Sequence, residues 1–373
     1  MSATAVMSKQ ASLTGPSVEE ASSVWSRTPR MAMAIVMVGL LCTAIVASTK
    51  GAVQASLDDW QAGLNWLGAL GAEPLSGAGH VLWQIRMPRI LLAMLIGASL
   101  ALAGGLAQGL FRNPLADPGL LGVSSGAACA TALSLVFFSS MASVPMPVEW
   151  RPYLTPLAAF VGALTVCLVL DSLARWLTPG SIAGLLLTGL AINAVAGAVI
   201  GLATYMANDE QLRSLSFWTL GSVAGASWTA VGLLAAILLP VIGLARHLAR
   251  PLNALALGEA AANHVGIDLH ALRLKTVVLV ALSCGAAVAW CGMIGFIGLL
   301  APHLARTWTG PDHRTMLPLA MGIGAWLLLM ADTLARTLAI PAEIPVGIFT
   351  ALLGGPLLIV MLHSMSKRQG HAV

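Results

Sequence analysis

Arg112-Asn113-Pro114-Leu115-Ala116-Asp117-Pro118-Gly119 is a short polar segment, broken twice by proline, with a long apolar run on either side. Each run is long enough to cross a bilayer, which takes about 20 mainly apolar residues. Irregular backbone at or within a membrane survives only where protein or a water-filled cavity satisfies its polar groups. Broken helices of this kind occur where transporters place their pathways. The segment therefore points to an all-α, polytopic membrane protein.

Composition agrees. The chain has 373 residues, of which 58% are hydrophobic and 9% charged, and its mean hydropathy is +0.86. Soluble domains carry about 25% charged residues, so an ordinary globular enzyme is excluded. The net charge of +4 is modest and thinly spread, which speaks to topology and not to nucleic-acid binding. Cys42, Cys129, Cys167, Cys284 and Cys291 all lie in apolar runs without a CxxC pair. They read as packing residues and not as a disulfide framework or a metal site.

Ten candidate spans follow from hydropathy: 31–49, 90–111, 119–139, 152–177, 181–206, 226–246, 271–291, 293–307, 315–337 and 346–365. Residues 1–30 read as a disordered cytoplasmic tail, 31–366 as the transmembrane domain and 367–373 as a second cytoplasmic tail. With the N-terminus inside, thirteen of the nineteen Lys and Arg residues fall in inside loops and six outside. The positive-inside bias thus places both termini in the cytoplasm. Residues 50–89 then form a long outer loop, 207–225 carry a short outer helix, and 247–270 are the largest inner connection. Pro251 suits the first position of a short helix there.

Chemistry-bearing motifs are scarce. None of the four lysines follows a glycine, so no phosphate-binding GK[ST] loop exists, and HExxH does not occur. Asp171 with Arg175 and Asp332 with Arg336 are spaced i, i+4 and are expected to pair on their own helices. An ion-coupled secondary transporter would call for an unpaired carboxylate deep in a span, and the sequence offers none. Gln108, Asn113 and Asn193 either hydrogen-bond between helices or line a polar pathway; the first reading is favoured. His303, beside Pro302, reads as a packing histidine. The stretch 252–266, from Leu252 to Gly266, is small and apolar for an inner loop, which marks a partner surface.

Several blocks, in order, resemble the FecCD family, permease subunits of type II ABC importers for iron-siderophores, haem and vitamin B12. They are Arg86-Met87-Pro88-Arg89, Arg112-Asn113-Pro114-Leu115-Ala116, Ser125-Gly126-Ala127, Gly295-Phe296-Ile297-Gly298-Leu299 and Glu343-Ile344-Pro345-Val346-Gly347. The resemblance spans roughly residues 80 to 360. It implies a ten-helix inner-membrane subunit that forms a homodimer around the pathway. Two cytoplasmic subunits would bind ATP and Mg, with no cofactor or metal in this chain, and a periplasmic binding protein would deliver substrate. It implies that Arg86, Arg89 and Arg336 point outward to dock that protein. It further implies that 252–266 is the coupling helix, with Leu255, Gly258, Glu259, Ala261 and Gly266 as contacts. The turn Thr178-Pro179-Gly180-Ser181 resembles the family's cytoplasmic gate. The runs 110–122 and 217–222 look most similar to haem-type permeases.

Overall fold

A computed structural model describes residues 29–50, 56–68, 77–138, 147–179, 181–339 and 342–370. Among these residues all regular structure is helical. In chain order the helices are α1 (Pro29–Thr49), α2 (Leu57–Gly68), α3 (Gly77–Phe111), α4 (Val123–Leu133), α5 (Arg151–Leu177), α6 (Ile182–Met206) and α7 (Asp209–Leu220). There follow α8 (Trp228–Ala256), α9 (Glu259–His264), α10 (Leu269–Cys291), α11 (Ile297–Thr309), α12 (His313–Thr337) and α13 (Val346–Gly370). Each of the ten expected spans contains a helix. Seven are long and apolar enough to cross a membrane by themselves: α1, α3, α5, α6, α8, α10 and α12. The fold is that of a polytopic membrane protein.

Three boundaries differ from expectation, and proline is behind one of them. The expected loop 50–89 instead holds α2 and the first turns of α3. Pro88 does not start α3, because the helix widens to π geometry over Val81–Arg86 and Met87 N–H reaches back to Leu82 O. A π turn is one of the ways a helix absorbs such an insertion. Pro251 likewise lies inside α8, which runs unbroken to Ala256. The stretch 252–266, expected to be one coupling helix, is therefore split: 252–256 is the end of a span, and only Glu259–His264 forms a separate helix. At the C-terminus α13 continues to Gly370, so residues 367–370 are helix. Most of the 1–30 tail lies outside the described residues. The short outer helix expected within 207–225 is α7. Its start is a capping box, in which Asn208 Oδ1 accepts from Gln211 N and Gln211 Oε1 accepts from Asn208 N, each at 2.9 Å.

Burial ranks the spans. The most apolar stretch of α3 is 78% buried and that of α10 is 72%, whereas that of α6 is 22%. So α3 and α10 form the centre, with α8, α11 and α12 packed on α3, and α4, α5 and α6 forming a second group against α10 through α5. Glycine makes the central contacts possible. A Cβ on Gly97 would strike the Gly324 carbonyl of α12, and one on Gly104 would strike the Gly298 carbonyl of α11. Backbones meet directly at both places, the usual way helices associate in lipid.

Candidate functional sites

The helix ends sort into two faces by their contacts. On one face lie the 112–119 break, the 178–181 turn, α9 and the start of α12. Arg112 ends α3 in a left-handed conformation at φ 51°. Its guanidinium pairs with Glu259 of α9 at 3.2 Å. Asp117 then caps the 3₁₀ turn Pro118–Leu121 by accepting from Gly119 N at 2.7 Å. The polar groups of the break are thus satisfied locally and by α9, as its sequence demands.

Around α9 the backbone turns twice through glycine, Gly258 at φ 115° and Gly266 at φ 80°. These turns lift Leu257 and Val265 into the open, 81% and 68% exposed. Leu255 faces the other way and is buried. Glu259 and Ala261 are half-buried on α9, and Gly266 is exposed. Just before this turn, Asn253 fastens α8 to α12. Its Nδ2 donates to Asp312 Oδ1 at 2.6 Å, and its Oδ1 accepts from His313 N at 3.0 Å. The backbone N–H of Arg314 and the Asn253 amide hold the Asp312 carboxyl below the usual carboxylate range. Glu259 thus joins α9 to α3 through Arg112, and Asn253 joins the end of α8 to the start of α12. Sequence reasoning missed Leu257 and Val265, although two apolar residues flanking glycines in a short loop are visible in the chain.

The 178–181 turn lies between the ends of α5 and α6. Ser181 N–H donates to Thr178 O at 3.1 Å, and Ser181 Oγ accepts from Gly184 N at 3.0 Å. Gly180 lies outside the described residues. Nearby, Asp171 is 1% exposed to solvent and pairs with Arg175 at 3.1 Å as expected, but also with Arg273 of α10 at 3.2 Å. The pair is part of a clamp between α5 and α10. Of the polar span residues, Gln108 bridges helices, donating to Leu299 O at 3.2 Å. Asn193 does so too, accepting from Ser125 Oγ at 2.6 Å. Asn113 does not: it is exposed and its Oδ1 accepts from Leu115 N within the break.

The opposite face gathers Arg86, Arg89 and Arg336, but it does not present them freely. Arg89 is buried and forks onto Asp332 at 2.9 Å and Glu343 at 2.9 Å. Asp332 is therefore the partner of Arg89 and not, as its spacing suggested, of Arg336. Arg336 instead donates to the carbonyls of Lys50 and Ala47. Arg86 is buried and donates to Ser48 O at 2.7 Å. The three arginines tie α3 and α12 to the end of α1 and to the approach to α13. Beside them, the 217–222 block seats on the α10–α11 break, where Ser222 N donates to Cys291 O at 2.8 Å. Among the described residues no three His, Cys, Asp or Glu side chains converge as a metal site.

The model of the FecCD transport family matches residues 31–364, nearly the whole chain. The chain belongs to the FecCD transport family. Its sequence is 42% identical over 344 residues to the hemin transport system permease protein HmuU of Yersinia pestis, covering 92% of this chain and 98% of that protein. It is 43% identical over 283 residues to the vitamin B12 import system permease protein BtuC of Vibrio cholerae, covering 76% and 82%. Its fold matches a solved structure described as an inward-facing conformation of a metal-chelate type ABC transporter. There the TM-score is 0.76 at 29% identity, over 90% of this chain and 99% of that one. This FecCD protein is thus a membrane permease subunit of an ABC importer of the metal-chelate type, and it is a transport subunit and not itself an enzyme.

Proposed function

We propose that this permease carries haem across the inner membrane, with the α9 face in the cytoplasm and both termini on that side. The observation that carries the reading is the match to a hemin permease along 98% of that protein's length; the vitamin B12 permease matches over a shorter stretch. The positive-inside bias supports the orientation. Two ATP-hydrolysing subunits, holding ATP and Mg, would dock on Leu257, Gly258 and Val265, whose exposure suits an apolar contact. A periplasmic binding protein would deliver the cargo to the opposite face. A second copy of the chain would complete the pathway along the sparsely buried α6.

Vitamin B12 is the second reading, favoured by the 43% identity to BtuC. Reconstitution separates the two. Proteoliposomes holding the chain, its ATPase and its binding protein are expected to accumulate haem and to leave vitamin B12 and a ferric siderophore outside. Omission of the binding protein should abolish accumulation, and the purified complex should contain two copies of the chain. Accumulation of vitamin B12 or the siderophore in place of haem would move the substrate assignment and leave the importer intact.

A further inference from the structure

Where α3, α8 and α12 reach the α9 face, two hollows adjoin and share Arg246 and Arg314. The outer hollow, about 830 Å³, is rimmed by Arg246, His247, Arg250 and Arg314. The inner hollow, about 610 Å³, has apolar walls that include Leu102, Ile242, Leu317 and Met321. All three arginines are exposed. Among the described residues none of them is in an ion pair. The carboxylate beside Arg314, Asp312, already accepts from Asn253 Nδ2 and from Arg314 N.

A cationic rim opening into an apolar cleft between spans is complementary to one kind of molecule, an anion on a hydrocarbon tail. We propose that this groove is a binding site for an anionic phospholipid. Its phosphate would sit on Arg246, Arg250 and Arg314, and an acyl chain would follow the inner hollow between α8 and α12. Guanidinium groups fork onto phosphate oxygens, and basic pockets between membrane helices hold anionic headgroups. An acidic surface on the ATPase would satisfy the arginines but leave the apolar inner hollow unfilled. The groove also lies away from the face assigned to a second copy, since α8 packs on α3, α10 and α12 while α6 packs on α4 and α5. The lipid contacts α8 and α12, the two helices that Asn253 fastens beside α9, so it would stiffen the base on which the coupling turn is built. The naming of the leaflet as cytoplasmic and the face assigned to a second copy rest on the proposed function.

Native mass spectrometry of the full chain released from nanodiscs of mixed phosphatidylglycerol and phosphatidylcholine tests this without ATPase or transport. The wild-type chain is expected to retain phosphatidylglycerol in preference to phosphatidylcholine. The triple variant Arg246→Gln, Arg250→Gln, Arg314→Gln should lower that preference by about tenfold or more, since each basic residue near an anionic surface contributes about 1 kcal/mol. The corresponding triple Lys variant should keep most of it and serves as the folded comparison. Met321→Trp, which narrows the inner hollow and leaves every charge in place, should weaken retention as well. Equal retention of both lipids by the wild type, or by the wild type and the Gln variant alike, would overturn the proposal. So would displacement of the lipid by glycerol phosphate at equal concentration, which would make the groove an anion site without a place for the tail.

Discussion

Asp332→Ala is expected to destabilise the folded permease by about 3 kcal/mol, the loss that follows when one member of a buried ion pair is removed and the other stays charged. Asp332 is 1% exposed, and Arg89 approaches it through both Nε, at 3.1 Å, and Nη2, at 2.9 Å. After the substitution Arg89 retains only Glu343, which is half-exposed. The join between α3 and α12 at this face should loosen, seen as a lower apparent Tm and a smaller yield of monodisperse protein in detergent. Removing both charges with Arg89→Met and Asp332→Leu should recover much of the loss, because no buried charge then lacks a partner. Arg336→Gln should have a smaller effect, since it removes hydrogen bonds to two carbonyls and leaves no carboxylate unpaired. A wild-type Tm for Asp332→Ala would show that the pair is not a structural element of this face.

A second large effect is expected at Gly258. At φ 115° and ψ 156° it occupies backbone space essentially reserved for glycine. A side chain there meets nothing within 4 Å in the chain itself. Gly258→Ala therefore carries the backbone strain, about 1–3 kcal/mol, with almost no added bulk. Gly258→Trp carries the same strain and projects an indole into the space beside Leu257 where a partner would sit. The Ala variant should keep most ATPase copurification and uptake, and the Trp variant should lose both while still reaching the membrane. The difference between the two isolates docking from folding. If the Trp variant binds the ATPase as well as the Ala variant does, the coupling surface lies elsewhere.

Much of the architecture is legible in the sequence because lipid enforces it. A run such as Leu269–Cys291 has few ways to satisfy its backbone other than as a helix, and all ten expected segments hold one. Proline misled at Pro251, which reads as the start of a short helix but lies inside α8. The ion pairs were half legible. Spacing found Asp171 with Arg175, but it assigned Asp332 to Arg336 because local periodicity says nothing of Arg89, distant in sequence and adjacent in space. The same reason hides Arg273 from Asp171. At the proposed coupling surface, the glycines are visible in the sequence but their signs of φ are not. Those turns decide that Leu257 and Val265 face outward while Leu255 is buried.

This chain is expected to move its cargo only when a partner hydrolyses ATP on the α9 face. The direct measurement is haem accumulation in sealed proteoliposomes that contain the chain, its ATPase and its binding protein, with nucleotide supplied on the ATPase side. Uptake is predicted with ATP and Mg, and none with a non-hydrolysable analogue, whether or not a proton gradient is present. Accumulation that follows an imposed proton gradient without ATP, and that an ionophore abolishes, would contradict the claim and make the protein an ion-coupled carrier.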